Sequence, residues 1–412
     1  MADLVTDPRC SFCGSPKLES VVDLGRMPLA NRYLTEEELA SPEPDYPLHA
    51  RYCRACHLVQ VEPVTSREEI FEEYAYFSSF STSWLEHSRA FAEWAVSEFE
   101  LGPGRQVLEV ASNDGYLLSY FRGMGVPVLG VEPAANVAKH ATAKGIATLV
   151  RFFGADTAGE IRETSGPAAL VVANNVFAHV PDLNDFSAGL KRVLAEEGVV
   201  SIEVPHLLQL IERTAFDTIY HEHYSYFSLL AIECILREHG LEVFDVQELP
   251  THGGSLRVLA GHVEQSRPAG RGLAKVRADE DRAGLASPKA YSDFARRVQE
   301  VADSFRRYLE DALSQGRSIA AYGAAAKGNT FLNYVKVGDT EISMVADLSP
   351  HKQGRYLPGT HLPIVSPEEL VSFAPDDVVI LPWNIREEIR SQLRGQLSSR
   401  FIVAIPELDI AV

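Results

Sequence analysis

The stretch Val107–Leu118 constrains the fold of this chain more than any other. It begins with an apolar run typical of a buried strand, continues through small and polar residues, and ends with the spacing of a helix. This order predicts a strand, a tight loop and a helix whose unpaired backbone N–H groups face a ligand. The loop reads Glu-x-Ala-x-x-x-Gly and lacks the Gly-x-Gly-x-x-Gly pattern of dinucleotide sites. It therefore favours S-adenosylmethionine (SAM) as the ligand.

An acidic residue follows the next apolar run of the chain. The run Leu129–Val131 leads into Glu132, which lies eighteen residues after Asp114. A carboxylate at the end of the second strand of a nucleotide-binding unit can accept hydrogen bonds from both hydroxyls of a ribose. Glu132 is therefore the predicted ribose ligand.

Strand-like and helix-like runs alternate from residue 106 to about residue 262. Strands are predicted at Val107–Val110, Val128–Val131, Thr148–Phe152, Leu170–Ala173 and Val199–Glu203, with a late pair near Val243 and at Leu256–Leu259. Helices are predicted at Tyr116–Met124, Ala134–Lys144 and Leu183–Leu194. The alternation predicts an α/β fold with a doubly wound, largely parallel sheet, on which ligands bind at the carboxyl ends of the strands.

Length and charge limit the classes of function. A chain of 412 residues is too long for one ordinary core, so two or three domains are expected. Its formal net charge of −19 argues against a protein that mainly binds nucleic acid. The sequence shows neither an apolar run long enough to span a membrane nor the pattern of a signal peptide. We therefore expect a cytoplasmic protein without a membrane partner, and take a monomer as the working expectation.

Four of the five cysteines form two close pairs, Cys10-x-x-Cys13 and Cys53-x-x-Cys56. Each pair can place two thiolates on one tetrahedral ion, and the two pairs together make a closed four-thiolate zinc site. A closed site leaves no position for water, so the zinc is predicted to hold a small domain together and to take no part in chemistry. The 39 residues between Cys13 and Cys53 exceed what a compact ribbon needs and predict a small insertion.

The densest set of chemically active side chains lies at residues 220–227, after the predicted fifth strand. It contains His221, Glu222, His223 and three tyrosines. The two histidines are two residues apart and cannot share one face of a helix, which argues against a His-Glu-x-x-His metal site. An imidazole, with a usual pKa of about 6.5, can remove a carbon-bound proton that a neighbouring carbonyl has acidified. A carboxylate beside it would orient the ring, and tyrosine hydroxyls or a second histidine could donate to the resulting enolate oxygen.

Two further segments are predicted to be helical. Residues 68–100 are aromatic with helical spacing, and Tyr74 and Tyr76 within them could line a pocket, although packing is the usual role of a tyrosine. Residues 265–315 are charged and alanine-rich, which predicts surface helices between two lobes.

A second βαβ unit begins near Ser318. Its first strand leads to Gly323, small residues and Lys327 at the start of a helix, which suits a phosphate or pyrophosphate. Asp347 ends the next predicted strand, at a spacing that also suits a nicotinamide dinucleotide, so NADPH stays open as a second cofactor although the glycine triplet is missing. Val378–Leu381 is predicted to be the last strand.

The combined motifs resemble a known family. The two cysteine pairs, the Glu109–Gly115 loop, Asn175–Asp182, His221-Glu222-His223 and Gly323–Asn329 are similar, in the same order, to the modules of sugar C-methyltransferases that act on TDP-4-keto-deoxysugars in antibiotic biosynthesis. The resemblance covers nearly the whole chain. It implies a zinc-binding domain at 1–68, a Rossmann-like SAM-methyltransferase domain at 69–264 and a C-terminal α/β domain at 265–412 that contributes to binding of the sugar nucleotide.

The resemblance also implies roles for individual residues. The proposed base for the C3 proton of the sugar is His223, with Glu222 and Tyr220 beside it, while His179 and Tyr76 line the sugar and stabilise the enolate. The implied SAM ligands are Glu109, Ala111, Asn113, Asp114, Gly115, Glu132 and Asn175. The implied sugar-nucleotide ligands are Tyr74, Lys327, Asn329 and Arg355. Tyr74 is also an alternative to Tyr76 for the role given to that residue. The implied ligands of the structural zinc are Cys10, Cys13, Cys53 and Cys56. Ala111 departs from the glycine that is more usual in this family.

Three alternatives remain open from the sequence. The enzyme could methylate oxygen or nitrogen, in which case it would not exchange the C3 proton with solvent. It could be bifunctional and also reduce the 4-keto group with NADPH, which a cofactor titration would reveal. A zinc-ribbon adaptor without catalysis would fail to bind SAM.

Overall fold

The computed structural model describes residues 8–65, 79 and 82–411 and shows an α/β protein with three sheets. Its strands are β1 (Leu18–Met27), β2 (Tyr46–Cys53), β3 (Val59–Gln60), β4 (Val107–Val110), β5 (Val128–Val131), β6 (Thr148–Leu149), β7 (Ala168–Asn174), β8 (Leu194–Pro205), β9 (Ser225–Tyr226), β10 (Leu241–Leu249), β11 (Ser255–His262), β12 (Ile319–Tyr322), β13 (Val345–Ala346), β14 (Ile364–Val365), β15 (Asp377–Ile380), β16 (Arg400–Val403) and β17 (Asp409–Ala411). The α-helices of the described residues are α1 (Thr82–Glu98), α2 (Tyr116–Gly123), α3 (Ala135–Ala143), α4 (Ala155–Ser165), α5 (Leu183–Val193), α6 (Leu207–Glu212), α7 (Leu229–Glu238), α8 (Arg271–Ala283), α9 (Pro288–Ser314), α10 (Ala326–Val335), α11 (Pro367–Phe373) and α12 (Arg386–Leu393).

The N-terminal sheet has the strand order β1-β2-β3-β9 and is antiparallel throughout. Its last strand comes from far along the chain, because Val59 pairs with Tyr226 and Gln60 with Ser225. Since β9 follows directly on His221-Glu222-His223-Tyr224, this pairing places the histidine cluster at the edge of the N-terminal sheet.

The central sheet has the strand order β10-β11-β8-β7-β4-β5-β6. The five strands from β8 to β6 are parallel, and β11 and β10 extend one edge in antiparallel pairing. The predicted α/β fold with its largely parallel sheet is therefore confirmed, and β4 and β5 have the predicted bounds. Strand β6 is shorter than predicted because the backbone turns at Arg151, whose N–H donates to the carbonyl of Leu149.

Capping residues and apolar spacing explain the helices that follow. Helix α5 begins after Asp182, whose carboxylate accepts two backbone N–H groups of the first turn, and α7 begins after Ser228, whose hydroxyl accepts the N–H of Ala231. Helix α9 begins with Ser287 as cap and Pro288 at its first position. It is not the surface helix that the sequence predicts, because nine of its side chains are buried along β1 and its neighbours.

The C-terminal sheet has the strand order β14-β13-β12-β15-β16-β17 and is parallel except for β17. The prediction that Val378–Leu381 is the last strand is wrong, because β16 and β17 follow it. Strand β16 lies between β15 and β17, and its apolar residues Phe401–Val403 are buried. One continuous apolar core joins the N-terminal sheet, α9 and the C-terminal sheet, with Leu48, Tyr291 and Ile319 among its members.

Among the described residues, no helix has both the length and the apolar composition that crossing a membrane requires.

Candidate active site

The four paired cysteines converge at one point of the N-terminal domain. Cys10 Sγ lies 3.5 Å from Cys56 Sγ, Cys13 Sγ lies 3.6 Å from Cys53 Sγ, and all four sulfurs lie within 4.8 Å of one another. A tetrahedral zinc with Zn–S bonds of about 2.3 Å needs sulfur atoms about 3.8 Å apart, so the sulfurs fit this ion. The cluster joins residues before β1 to the end of β2, and three of the four thiols are buried.

The loop between β4 and α2 is held in an unusual backbone conformation. Ala111, Asn113 and Gly115 all have positive φ, at 56°, 49° and 75°. A side chain on Gly115 would meet Ala141 and Ile146 at 3.1 Å, so glycine is required there. Ala111, in contrast, takes a left-handed conformation that usually costs a non-glycine residue free energy. Such strain at the start of a helix is typical of a ligand-binding loop.

Glu132 closes this loop from the end of β5. Its carboxylate accepts the N–H of Asn113 and the N–H of Ala134, both at 2.9 Å. Burial raises the pKa of Glu132. It raises the pKa of the fully buried Glu109 well above its usual value, and the negative charges of Glu132 and Asp114 raise it further. Three acids are therefore concentrated at the carboxyl ends of β4 and β5.

Buried polar atoms without a hydrogen-bond partner surround the same loop. Within the described residues they include Glu109 Oε2, Ser112 Oγ, Asp114 Oδ1, Asn174 Oδ1 and Asn175 Oδ1. All but the hydroxyl are pure acceptors, and a ligand with an amino group and ribose hydroxyls would satisfy them. The donor groups of SAM fit this set. The structure thus brings together the predicted residues Glu109, Ala111, Asn113, Asp114, Gly115, Glu132 and Asn175 at the ends of β4, β5 and β7.

His223 lies at the centre of the histidine cluster. Its Nε2 is 2.7 Å from the hydroxyl of Tyr220, and its ring meets that of His179 edge-on with 4.6 Å between centroids. Burial lowers the pKa of His223 well below its usual range, and the nearby His179, His252 and Lys327 lower it further. His223 is therefore a neutral imidazole near pH 7, which is the form that can accept a proton.

His179 and Glu222 are linked to this centre through the backbone. His179 Nδ1 donates to the carbonyl of Glu222 at 2.7 Å, and burial lowers the pKa of His179 to about 4. The Glu222 carboxylate is buried, which raises its pKa to about 7, and it accepts a hydrogen bond from the side chain of Asn31. His221 is turned the other way and packs edge-on against Tyr46 of β2, so it belongs to the N-terminal core.

Lys327 reaches the cluster from the C-terminal domain. Its Nζ donates to Asn384 Oδ1 at 2.6 Å and lies 5.0 Å from the ring centre of Trp383. The indole of Trp383 in turn donates to Asp217 at 2.8 Å, which ties the central domain to the C-terminal one. Burial lowers the pKa of Lys327, and its charge acts on both His223 and Asp217. The charge of Lys327 thus acts on the predicted base from another domain.

The other predicted ligands of the sugar nucleotide are placed differently. Asn329 is buried, and its amide donates to the carbonyl of Ala30 at 2.5 Å. Arg355 is exposed near Glu38, and its side chain makes no hydrogen bond or ion pair within the described residues. Tyr74 and Tyr76 lie outside the described residues, so their predicted roles stay predictions.

The glycine loop of the C-terminal domain is closed by the protein itself. Asp347 Oδ2 accepts the N–H of Ala324 at 2.8 Å, and the Ala324 carbonyl accepts from Tyr33 and from Lys352, each at 2.7 Å. A dinucleotide pyrophosphate needs free backbone N–H groups in such a loop, and that of Ala324 is already bonded to Asp347. NADPH as a second cofactor finds no support in this geometry.

One residue close to Lys327 was not foreseen from the sequence. His252 follows β10, adopts φ 53°, and lies with its ring 5.5 Å from that of Trp84. Burial, followed by the charge of Lys327, lowers its pKa to about 4. The neighbouring Glu203 is fully buried and paired with His87 and Arg257 at 2.9 Å each. The glycine pair after Thr251-His252 is a signal that could have drawn attention to this loop.

Comparison with family models matches the chain in three consecutive parts. Residues 10–71 match a zinc binding domain, residues 84–246 match a methyltransferase domain, and residues 250–406 match the C-methyltransferase C-terminal domain. Together they leave only short stretches of the chain unmatched.

Individual proteins resemble the chain as well. C-methyltransferase NovU from Streptomyces niveus is 36% identical over 410 residues, which cover 99% of this chain and 98% of NovU. Among solved structures, a SAM-dependent methyltransferase from Anabaena variabilis matches with a TM-score of 0.38 and 13% identity, over 49% of this chain and 98% of that one. Magnesium protoporphyrin IX methyltransferase from Synechocystis, with bound SAM, matches with a TM-score of 0.36 and 13% identity, over 48% of this chain and 99% of that one.

The full-length similarity to a C-methyltransferase decides between the classes of function that the sequence leaves open. A methyltransferase of oxygen or nitrogen, and an adaptor without catalysis, are both at odds with it. The chain belongs to the family of SAM-dependent C-methyltransferases that carry an N-terminal zinc-binding domain and a dedicated C-terminal domain.

Proposed function

We propose that this C-methyltransferase adds a methyl group to C3 of a TDP-4-keto-deoxysugar, as part of antibiotic deoxysugar biosynthesis. The observation that carries the proposal is the neutral, buried His223 with Tyr220 on its Nε2 and a lysine from another domain opposite. Such a base suits removal of a proton from a carbon next to a carbonyl. The resemblance of the whole chain to sugar C-methyltransferases supports the choice of sugar.

The reaction begins at the C3–H bond. The 4-keto group acidifies this hydrogen, His223 Nε2 takes it as a proton, and the electron pair moves to the C4 oxygen as an enolate. Before this step the hydroxyl hydrogen of Tyr220 must rotate off Nε2, and it can then donate to the enolate oxygen. The roles of His179 and Tyr76 as further groups along the sugar follow from the family resemblance.

The cofactor and the substrate need fixed relative positions. Bound SAM supplies an electrophilic methyl carbon, so the chain contributes mainly proximity and alignment. Glu132, Asn113 and the acceptors around Glu109 would hold the cofactor at the ends of β4 and β5. Lys327 would meet the negative charge of the substrate, with Asn329 and Arg355 as weaker candidates for the pyrophosphate.

Isotope exchange tests the proposal. The enzyme is incubated in deuterated water with a TDP-4-keto-6-deoxysugar, once with SAM and once with S-adenosylhomocysteine, and the sugar is analysed by mass spectrometry. We expect one added methyl on carbon with SAM, and deuterium at C3 with S-adenosylhomocysteine. Samples without enzyme measure spontaneous exchange. Methylation at oxygen, or the absence of both changes with this sugar class, would contradict the proposal.

A further inference from the structure

The segment between the two cysteine pairs bridges two domains. Residues 28–34, here called the inter-knuckle segment, follow β1 and run over the C-terminal domain. The Ala30 carbonyl accepts from Asn329 at 2.5 Å, and the Tyr33 hydroxyl donates to the Ala324 carbonyl at 2.7 Å. Leu34 then pairs with Tyr356 through two backbone hydrogen bonds of 3.0 and 2.9 Å. These bonds fix the segment against the C-terminal domain.

Asn31, in the middle of this segment, points into the central domain. Its side-chain amide donates to Glu222 Oε2, and its backbone also forms a hydrogen bond that favours the Glu222 carboxylate. Glu222 is only 7% exposed, so its carboxylate has lost nearly all contact with bulk water. A buried carboxylate needs hydrogen-bond donors in place of water, and Asn31 provides them.

The position of Glu222 is coupled to that of two histidines. Its backbone carbonyl accepts from His179 Nδ1, and its peptide continues directly into His223. A shift of Glu222 would therefore move the ring of His179 and the backbone that carries His223. Small displacements of this kind reduce rates strongly when the reacting atoms must be aligned.

We propose that Asn31 is a positioning residue of the methyl-transfer reaction, which holds Glu222 and thereby orders the histidine cluster. The N-terminal domain thus completes the active site, in addition to binding zinc. This inference rests on the proposed function in one respect, namely that Glu222 and His223 belong to the catalytic cluster.

Asn31→Ala and the isosteric Asn31→Asp test this role in the full-length, zinc-loaded enzyme. Both variants should lower kcat by about 10- to 100-fold, which corresponds to one hydrogen bond to a charged group. The affinity for SAM should change little, because the cofactor loop is not altered, and the melting temperature should fall by no more than the loss of one hydrogen bond to a buried carboxylate accounts for. Since the donors of Asn31 lower the pKa of Glu222, their loss should also move the rising limb of the pH–rate profile to higher pH. Arg32→Ala, in the same segment and 3.7 Å from Glu38, is the matched control and should keep the wild-type kcat.

A double-variant cycle separates positioning from a general structural role. If Asn31 acts through Glu222, then adding Asn31→Ala to Glu222→Gln should cause little further loss of kcat, whereas independent effects would multiply. The inference would be overturned if Asn31→Ala kept the wild-type kcat and the wild-type pH–rate profile. It would also be overturned if the losses of kcat multiplied in the double variant. Failure of the proposed function would show differently, because the wild-type enzyme itself would then be inactive on the sugar.

Discussion

The hydroxyl of Tyr220 lies 2.7 Å from Nε2 of His223, the nitrogen to which we assign proton removal. The residues are three positions apart, and the His223 N–H also donates to the Tyr220 carbonyl at 3.0 Å, so the pair is fixed by a local turn. Tyr220 therefore covers Nε2 of His223 in this structure, and in the proposed reaction we expect its hydroxyl to donate to the charge that develops on the substrate.

His223→Asn should reduce kcat for C-methylation by about 10²- to 10⁴-fold, the range expected for loss of a general base. Deuterium exchange at C3 should fall in parallel, because both measurements depend on the same proton transfer. Tyr220→Phe should cause a smaller loss, since it removes the donor but leaves the imidazole. An unchanged exchange rate in His223→Asn would show that another group is the base.

The pH dependence of kcat should report Glu222. Burial raises the pKa of this carboxyl to about 7. The pKa of His223 lies well below its usual range, so His223 is already neutral in this pH region. Because the Glu222 carboxylate forms as pH rises through its pKa, kcat should increase from about pH 6 to about pH 8 and then level. Glu222→Gln should lower kcat and remove this increase with pH. If kcat of the variant still rose over the same pH range, the increase would belong to a different titrating group.

Loss of one zinc ligand should destabilise the N-terminal domain and impair catalysis indirectly. Elemental analysis of Cys53→Ser should no longer find stoichiometric zinc. The melting temperature should fall by about 5 °C or more, which corresponds to a loss of about 2 kcal/mol in the free energy of unfolding. Methylation should fall because the inter-knuckle segment is no longer anchored beside Glu222. Cys234→Ser, on α7 and outside the cluster, is the control. Normal melting and activity without zinc would refute a structural role for the metal.

Glu132→Gln should weaken SAM binding by about 10- to 100-fold, because an amide cannot accept hydrogen bonds at both of its ends. In the protein as it stands, the two oxygens of Glu132 accept from the backbone of Asn113 and of Ala134. Calorimetric titration with SAM measures the effect. Glu160→Gln, which removes an exposed ion pair with Arg151, should leave the affinity unchanged. Equal affinities for both variants and the wild type would exclude Glu132 from the cofactor site.

Lys327→Met should raise the KM for the TDP-sugar by about tenfold or more, because one charge-assisted contact to phosphate is lost. The KM for SAM should stay constant. The reason is that Lys327 lies on helix α10 of the C-terminal domain, whereas the cofactor loop follows strand β4 of the central sheet. Lys275→Met removes an exposed lysine paired with Glu248 and Asp279 and serves as the control. A change confined to the KM for SAM would contradict this assignment.

Local patterns in the sequence were sufficient for much of the fold. Strands β4 and β5 have the bounds that their apolar runs predict, and the four cysteines meet as their spacing predicts. Both results depend on short-range chemistry, namely burial of an apolar run and the reach of two thiolates three residues apart. The last strands were missed although Phe401–Ile405 is a run of five apolar residues that ends at Pro406, a pattern typical of a short buried strand.

Only part of the candidate site can be predicted from local patterns in the sequence. His223, Glu222 and Tyr220 are close in sequence, so their density of reactive groups was visible. Asn31 was not, because it meets Glu222 across 191 positions of the chain and has no motif of its own. His252 was missed because the glycine pair that follows it marks a loop but does not indicate that the loop packs near Glu203 and Lys327.

By itself, the sequence determined the three kinds of local unit in this protein: the cysteine pairs, the strand–loop–helix of the cofactor site and the His-Glu-His run. Only the tertiary structure decided how these units combine, through the pairing of β3 with β9, the bond from Asn31 to Glu222 and the approach of Lys327 to His223. The physical reason is that hydrogen bonds and charge interactions act over a few ångströms of space, whatever the separation along the chain. Residues distant in sequence acquire altered pKa values and fixed orientations only when burial of the shared core brings them together.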